Sequence, residues 1–200
     1  MNWITNFVRP KLQAFVGKKE VPDNLWETCP KCSQMLLKRE LESNLFVCKH
    51  CDYHFRMLPK DYLELLLNDS TELWTDIKSQ DPLNFKASKS YKEQLEKSEK
   101  QGDNADAVRV FSGKINTEKV VLCIMDFSFI GGSMGSVVGE KISRAIGLAQ
   151  DQSLPLIIVC SSGGARMQEG AISLMQLAKI CSKLSEFSSN KNFLVTILTD

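Results

Sequence analysis

The clearest pattern of apolar and polar positions lies in the second half of the chain. From Val108 onward, apolar segments of strand length alternate with longer segments in which apolar residues recur every three or four positions. Such runs predict buried β-strands and amphipathic helices, respectively. The predicted strands are 108–115, 119–129, 154–161 and 193–199, and the predicted helices are 136–151 and 165–187. This order predicts an α/β domain over residues 108–200, in which a hairpin is followed by two crossover helices.

Each of the two predicted helices carries one apolar stripe. The stripes are formed by Val138, Ile142, Ala145, Ile146 and Ala149 on the first helix, and by Ala171, Leu174, Met175, Ala178 and Cys181 on the second. Because an apolar stripe packs against the sheet, each helix is expected to cover a sheet face. Three cysteines, Cys123, Cys160 and Cys181, fall within apolar segments and are predicted to be core residues.

The first half of the chain is more polar and divides into three parts. Residues 1–24 place apolar side chains at roughly helical spacing around Pro10, which fits a docking segment better than an organelle-targeting helix because serine is absent from the first nineteen residues. Residues 25–56 contain four cysteines among polar neighbours. Residues 57–107 combine a helical pattern near Tyr62 with a charged stretch, and they predict a helical connector.

Composition limits the classes of protein that need be considered. The 200 residues carry a formal charge of +1 and are 43% hydrophobic, which favours a folded chain over extended disorder and argues against a strongly basic nucleic-acid binder. No apolar run is long enough to cross a bilayer, so no membrane contact is expected. Seven cysteines and the lack of a secretory signal favour a reducing compartment, either the cytoplasm or an organelle stroma.

The first four cysteines form the strongest single motif. Cys29, Cys32, Cys48 and Cys51 follow the spacing C-x2-C-x15-C-x2-C, in which each C-x2-C turn places two sulfurs on one side of a tight knuckle. Four thiolates complete a tetrahedral zinc site, so one structural zinc ion per chain is predicted, with a hairpin over residues 35–47 between the knuckles. This metal has no open position for catalysis.

Two alternatives remain open for this zinc ribbon. His50 and His54 lie in and beside the second knuckle and could replace a cysteine as ligand, although four thiolates already complete the set. Zinc ribbons also bind nucleic acids, and residues 1–60 hold ten basic against six acidic residues. Because four thiolates around Zn²⁺ add two negative charges, nucleic-acid binding is the minor hypothesis.

Two glycine-rich turns each follow a predicted strand and precede a predicted helix. The first glycine turn spans residues 130–136 and the second spans residues 161–166. Glycine lets main-chain N–H groups approach a ligand, and a following helix adds its positive end, so each turn can hold an anion or a developing oxyanion. The plainer interpretation is that glycine only permits a tight turn, and for a single turn this would be preferred.

Absent motifs narrow the chemistry further. Neither turn contains a Walker A loop or the G-x-G-x-x-G fingerprint of dinucleotide binding. Both histidines of the chain lie in the zinc ribbon, so a Ser-His-Asp triad cannot be assembled in the main domain. The remaining chemistry is one that needs a stabilised oxyanion more than a protein base, such as enolate formation from an acyl-CoA thioester.

Arg166 stands out within the second glycine turn. The pattern places this cation in the first turn of a helix, where it opposes the helix dipole. Two explanations are open: an ion pair with Glu169 three residues later, and a contact with a phosphate or carboxylate ligand beside the turn.

Three motifs together resemble a known family. They are C-P-K-C and C-K-H-C in the ribbon, residues 131–139 (GGSMGSVVG), and residues 161–170 (SSGGARMQEG). With these motifs in this order, the chain resembles the carboxyltransferase beta subunit of multi-subunit acetyl-CoA carboxylase from about Trp3 to Asp200. The resemblance implies a zinc ribbon followed by a crotonase-like spiral of ββα units. It also implies carboxyl transfer from carboxybiotin to acetyl-CoA, giving malonyl-CoA for fatty-acid synthesis.

The resemblance also implies roles for particular residues and partners. Gly163 and Gly164 would donate main-chain N–H groups to the thioester oxygen. The ureido group of biotin could take the methyl proton, which agrees with the missing histidine base. The implied substrate-binding residues are Gly131, Gly132, Ser133, Met134, Gly135, Ala165 and Arg166. The implied partners are a carboxyltransferase alpha subunit in an alpha2beta2 assembly, a biotin carboxyl carrier protein and a biotin carboxylase of the ATP-dependent complex.

Family members continue beyond the point that corresponds to Asp200, so the spiral is expected to be incomplete in this chain and activity without a partner is doubtful. Two other functions stay open. One is carboxyl transfer to a different acyl-CoA, which differs only in the lining of the pocket. The other is nucleic-acid binding by the ribbon, for which Phe46, Tyr53 and Phe55 supply part of the surface needed.

Overall fold

The computed structural model describes residues 25–101 and 105–199, which form two compact units. The first unit extends to Arg56 and the second begins at Met57. Each unit has a hydrophobic core of its own. The predicted docking segment, residues 1–24, lies outside the described residues.

The first unit is a small ribbon with few regular elements. Strand β1 (Trp26–Thr28) pairs antiparallel with β2 (Met35–Leu37), and helix α1 (Lys38–Ser43) follows directly. The predicted hairpin over residues 35–47 is therefore wrong, because the strands flank the first cysteine pair instead. Residues 38–43 form a helix that buries Leu41 beside Cys29 and Cys48 in the core of the ribbon.

The second unit is built on a five-stranded mixed sheet. Its strands, in spatial order, are β3 (Asn68–Leu73), β4 (Val108–Ile115), β5 (Glu118–Met125), β6 (Leu156–Cys160) and β7 (Leu194–Leu198). β3, β4 and β5 are antiparallel, whereas β5, β6 and β7 are parallel. The four predicted strands are confirmed. β3 was not predicted, because its sequence NDSTEL lacks an apolar run and it pairs at the edge of the sheet.

Among the described residues, four α-helices pack around this sheet. They are α2 (Pro59–Leu66), α3 (Tyr91–Gln101), α4 (Ser136–Asp151) and α5 (Ala171–Ser189). α4 and α5 pack on the same face because two right-handed crossovers step in one direction along the strand order, and α2 covers the opposite face. Among the described residues, no helix combines the length and the apolar character that crossing a membrane requires.

The predicted stripe is confirmed on α4 and wrong on α5. All five stripe residues of α4 are buried. On α5 the buried side chains are Ser173, Gln176, Ile180 and Phe187, and the predicted stripe, including Cys181, is exposed. Ser173 and Gln176 are buried beside the larger Ile180 and Phe187 because α5 crosses α4 closely: a Cβ atom on Gly139 would lie 2.1 Å from Gln176 Oε1. Of the other two predicted core cysteines, Cys123 is buried and Cys160 is partly buried.

Candidate functional site

The four ribbon cysteines form a compact metal-binding cluster. Their sulfur atoms all lie within 4.8 Å of one another, and the Cys29–Cys51 and Cys32–Cys48 sulfur pairs are 3.6 and 3.8 Å apart. A tetrahedral zinc with Zn–S bonds of about 2.3 Å requires sulfur separations of about 3.8 Å. The thiol set therefore fits one zinc ion as the sequence spacing predicts.

The ribbon histidines are not needed to complete this cluster. His50 and His54 are both exposed, whereas Cys29 and Cys48 are buried. Four thiolates close the coordination shell, so the metal is a structural centre that stabilises a unit with a very small core.

The two glycine turns lie side by side at one edge of the sheet in the second unit. They follow the parallel strands β5 and β6, whose carboxyl ends meet at the same edge. Main-chain hydrogen bonds join the turns: Met134 N–H donates to the Gly164 carbonyl at 2.8 Å, and Arg166 N–H donates to the Met134 carbonyl at 2.9 Å. The turns therefore form one continuous backbone surface.

Glycine is required at particular positions in this surface. A Cβ atom on Gly132 would lie 2.2 Å from the Ser161 carbonyl oxygen, so only glycine permits this approach between the turns. Gly164 has a φ of +116°, a conformation that L-residues rarely adopt. An ordinary tight turn requires neither this close approach nor this backbone conformation. The interpretation that glycine only permits a tight turn therefore does not account for Gly132 and Gly164.

The main-chain donors of the second turn differ in their availability. Gly163 N–H donates to the Gly131 carbonyl at 2.9 Å, so it is committed to holding the turns together. Gly164 N–H donates to Ser162 Oγ at 3.1 Å, and both residues are exposed. A serine hydroxyl can rotate away from its partner, so Gly164 N–H is the donor that a ligand can reach.

The helix ends contribute less to an anion site than the sequence predicts. α4 begins at Ser136, but the Ser136 N–H donates to Oε2 of the Glu169 carboxylate at 2.6 Å. The second turn leads into a short 3-10 turn, Met167–Glu169, and α5 starts only at Ala171. The first helix therefore begins where the sequence predicts but directs its first N–H to a carboxylate, whereas the second helix does not follow the second turn directly.

Arg166 is fully buried and precedes α5, so the expectation that it lies in the first helical turn is wrong. Its Nη2 donates to Asp106 Oδ1 at 2.8 Å and to the Ser133 carbonyl at 2.6 Å, and its Nε donates to Ser133 Oγ at 3.1 Å. Nη1 donates to Ser79 Oγ, Tyr91 Oη and Asp106 Oδ2 at 3.0 to 3.1 Å. In this structure the guanidinium binds protein groups, which does not support its predicted contact with substrate.

Glu169 completes this buried polar cluster. It lies 3.7 Å from Arg166 Nη1, so the ion pair suggested by the sequence is present, although Asp106 makes the shorter contact with Arg166. Glu169 Oε1 also accepts a hydrogen bond from Tyr91 Oη at 2.7 Å. Asp106, Tyr91 and Glu169 are all completely buried.

Burial and charge change the acid–base properties of this cluster. Burial by itself lowers the pKa of Arg166, but the hydrogen bonds and charge of Asp106 outweigh burial and raise that pKa further, so the guanidinium stays ionised. Burial raises the pKa of Tyr91 to about 12, with the nearby Arg166 charge opposing the rise. Tyr91 is therefore a neutral hydrogen-bond donor at physiological pH.

The remaining predicted substrate-binding residues fall into two groups. Gly131, Ser133 and Met134 are partly buried and Ala165 is exposed, so they line the outer side of the turns, whereas Gly132 and Gly135 are buried between them. Residues 131–135 match the G-x-S-x-G pattern of a hydrolase nucleophile. Ser133 Oγ accepts from Arg166 Nε, and both histidines lie in the ribbon, so no nucleophile–histidine pair is present.

Sequence reasoning missed Ser79, Tyr91 and Asp106 as members of the site. All three belong to residues 57–107, which were interpreted as a connector because much of this segment is polar and rich in Lys, Glu, Ser and Gln. Asp106 lies two residues before the apolar strand β4 begins, and an acidic residue this close to a buried strand was the available signal. Tyr91 opens α3 with polar neighbours and carries no local pattern that would reveal its burial.

Comparisons with known proteins agree with both units. The carboxyl transferase domain matches residues 65–199, and the acetyl-CoA carboxylase zinc finger domain matches residues 26–51. A solved structure of the transcarboxylase 12S core with bound methylmalonyl-coenzyme A is similar at 23% identity, with a TM-score of 0.58 over 72% of this chain and 26% of that chain. This likeness confirms the predicted crotonase-like α/β fold, with the zinc ribbon ahead of it.

Two curated relatives share a name and span nearly the whole chain. The acetyl-coenzyme A carboxylase carboxyl transferase subunit beta of Pedobacter heparinus is 47% identical over 92% of this chain and 66% of that protein. The protein of the same name from Citrifermentans bemidjiense is 42% identical over 100% of this chain and 72% of that protein. The chain thus spans about two thirds of the length of these relatives. Identity at this level shows that the chain belongs to the family of acetyl-coenzyme A carboxylase carboxyl transferase beta subunits.

Proposed function

We propose that this chain is the beta subunit of a carboxyltransferase that makes malonyl-CoA from acetyl-CoA for fatty-acid synthesis, in the cytoplasm or an organelle stroma. The observation that carries the proposal is the reachable Gly164 N–H on a rigid pair of glycine turns. Family membership and the zinc finger domain specific to acetyl-CoA carboxylase support the choice of substrate. The comparisons do not favour nucleic-acid binding or another acyl-CoA.

The proposed chemistry assigns the main chain an electrostatic role. Gly164 N–H donates to the thioester oxygen of acetyl-CoA as that oxygen gains negative charge, and one such donor contributes about 2.7–4 kcal/mol to the transition state. Carboxybiotin, brought by a carrier protein, supplies the carboxyl group and a ureido nitrogen that takes the methyl proton. Gly163 shapes the turn through its bond to the Gly131 carbonyl.

The outer side of the turns is the proposed acyl-CoA surface. Gly131, Ser133, Met134 and Ala165 retain solvent exposure beside Gly164, whereas Gly132 and Gly135 permit the close packing beneath them. Arg166 takes no part in this surface, because its guanidinium is directed into the protein.

An exposed apolar face supports the proposal that a carboxyltransferase alpha subunit binds this chain. On α5, Leu174, Met175 and Leu177 are 60, 63 and 53% exposed, and Met167 before it is 70% exposed. Contiguous exposed apolar side chains of this kind mark interaction surfaces. The name that the relatives share includes the term subunit, and the remaining proposed partners are a biotin carboxyl carrier protein and biotin carboxylase in an alpha2beta2-based complex.

The test is the transfer of the carboxyl group from malonyl-CoA to biocytin, measured with and without an added alpha subunit. We expect transfer only with both subunits, and a large loss of turnover in Gly164→Val with zinc retained, because φ at this position excludes a side chain. Gly147→Ala is the matched control, since an added Cβ there contacts nothing within 4 Å. Unchanged transfer in Gly164→Val would reject the role of this donor, and no transfer by the pair would reject the function.

A further inference from the structure

We infer that Arg166 and Glu169 are positioning residues that hold the two glycine turns in register, with Tyr91 and Asp106 as their supports. This inference rests on the proposed function, because it assigns these residues to the orientation of the Gly164 N–H. All four side chains are completely buried. They therefore act on the reaction only through the main chain of the turns.

The first step is the contact of Arg166 with the first turn. Its guanidinium donates to both the carbonyl and the hydroxyl of Ser133, at 2.6 and 3.1 Å, and its main-chain N–H donates to the Met134 carbonyl at 2.9 Å. Met134 N–H in turn donates to the Gly164 carbonyl at 2.8 Å. A chain of hydrogen bonds thus leads from the Arg166 guanidinium through the Ser133–Met134 peptide group to the carbonyl of Gly164, the residue whose N–H is the proposed donor.

The second step is the contact of Glu169 with the first glycine turn at Ser136, three residues after Ser133. Its carboxylate accepts from Ser136 N–H at 2.6 Å, and it serves as the missing cap of α4, whose own N-cap residue Gly135 has no side chain. A Cβ atom on Gly135 would lie 2.6 Å from Glu169 Oε1 and 2.9 Å from Arg166 Nη1. The first turn is therefore held at Ser133 and at Ser136, by Arg166 of the second turn and by Glu169 just after it.

Asp106 and Tyr91 fix the orientation in which the Arg166 and Glu169 side chains extend toward the first glycine turn. Asp106 binds two nitrogens of Arg166 in a fork, at 2.8 and 3.1 Å. Tyr91 Oη accepts from Arg166 at 3.1 Å and donates to Glu169 at 2.7 Å, so one hydroxyl orients both residues. The Arg166 guanidinium also lies 5.4 Å from the centre of the Phe129 ring.

The energetic character of this cluster agrees with a positioning role. Buried ion pairs contribute little net stability, because the loss of hydration offsets the attraction between the charges. What such a cluster does provide is a single geometry, since each donor and acceptor has one arrangement that satisfies it. A site that works through individual N–H groups requires this precision, because a displacement of about 1 Å can cost about a hundredfold in rate.

The experiment measures carboxyl transfer by the chain assembled with its alpha subunit. Tyr91→Phe keeps the ring and removes only the shared hydroxyl, and we expect kcat to fall about tenfold with KM for malonyl-CoA within about twofold. Arg166→Lys keeps the charge but loses the fork, and we expect a fall of about a hundredfold. If Arg166→Lys fails to fold, the result for Tyr91→Phe is sufficient to test the positioning role. Tyr62→Phe is the matched control, because its hydroxyl contacts Thr199, outside the turns.

A second measurement separates this inference from the proposed function. Amide hydrogen exchange of residues 130–136 and 161–166 should rise in Tyr91→Phe and stay unchanged in Tyr62→Phe, whether or not the wild type transfers a carboxyl group. Increased exchange without wild-type activity would uphold the positioning role and reject the proposed function. Unchanged exchange and kcat in Tyr91→Phe would overturn the inference. A rise in KM at constant kcat would also overturn it, because it would indicate a substrate contact.

Discussion

At the scale of single residues, the site is defined by which polar groups are buried and which can be reached. Arg166 and Gly164 are two positions apart, yet the arginine is completely buried and the glycine is exposed. The difference arises because the chain passes from the surface of the turn into the cluster around Asp106 within two residues. The proposed reactive group is thus a main-chain N–H, and the charged side chain beside it is proposed to support it.

The ionisation of Tyr91 gives a residue-scale prediction. Burial raises its pKa to about 12, above the value of about 10 for an exposed tyrosine. The folded state holds this proton more tightly than the unfolded state, so the stability that depends on it is present below pH 10 and is lost as the pH rises through 12. The tyrosinate absorbance should show a late phase near pH 12 that Tyr91→Phe lacks. A titration of the variant identical to that of the wild type would contradict this assignment.

At the scale of elements, the close crossing of α4 and α5 determines which side of α5 is buried. Gly139 on α4 lies against the Gln176 side chain, whose Oε1 is buried without a hydrogen-bond partner among the described residues. This approach buries Ser173 and Gln176 together with Ile180 and Phe187, and it leaves the predicted apolar stripe exposed. The predicted helix is present, but the predicted stripe is not its buried side.

Two glycines of α4 provide an element-scale prediction. A Cβ on Gly139 would lie 2.7 Å from Gln176 Cβ, so Gly139→Ala should lower the free energy of unfolding by about 1–3 kcal/mol. Gly147→Ala meets no atom within 4 Å and should raise it by about 0.5–1 kcal/mol through helix propensity. Urea unfolding of both variants gives the comparison. A Gly139→Ala variant as stable as Gly147→Ala would show that the helices do not cross this closely.

At the scale of the whole molecule, the two units depend on different sources of stability. The second unit buries apolar side chains on both faces of its sheet, whereas the ribbon core consists of Leu36 and Leu41 with the cysteines and a few partly buried aromatic residues. A core of that size does not hold a fold without an additional constraint, which zinc provides at about 10–16 kcal/mol.

Removal of the metal is the whole-molecule prediction. Cys48→Ser or a strong chelator should abolish zinc binding and hydrogen-exchange protection within residues 25–56, while residues 108–125 keep their protection, because the described residues of the ribbon core all lie between Cys29 and Phe55. Native mass spectrometry measures the metal. Cys181→Ser is the control, since this exposed cysteine lies outside the cluster and its loss should leave zinc content unchanged. Loss of protection in both units at once would contradict independent stabilisation.

Local signals predicted much of the architecture. Strands β4 to β7 and helix α4 could be predicted from the apolar pattern, because the apolar residues of each element lie within one short stretch of the sequence. The zinc ligands could be predicted from the spacing of the cysteines, because the two cysteines of each knuckle lie close together along the chain. Strand β3 and the start of α5 could not be predicted in the same way: β3 pairs through its backbone at a sheet edge, and α5 starts only after Gly170, at a φ of +53°.

The sequence by itself therefore determined the four zinc ligands, the order of strands and helices from Val108 onward, and the two glycine turns, because each depends on residues close together along the chain. Only the tertiary structure decided that Gly163 N–H is committed, that Arg166 is buried, and that Ser79, Tyr91 and Asp106 belong to the site. Those properties depend on contacts between residues as many as 87 positions apart. The local pattern of polar and apolar residues does not indicate which distant polar groups come into contact when the chain folds.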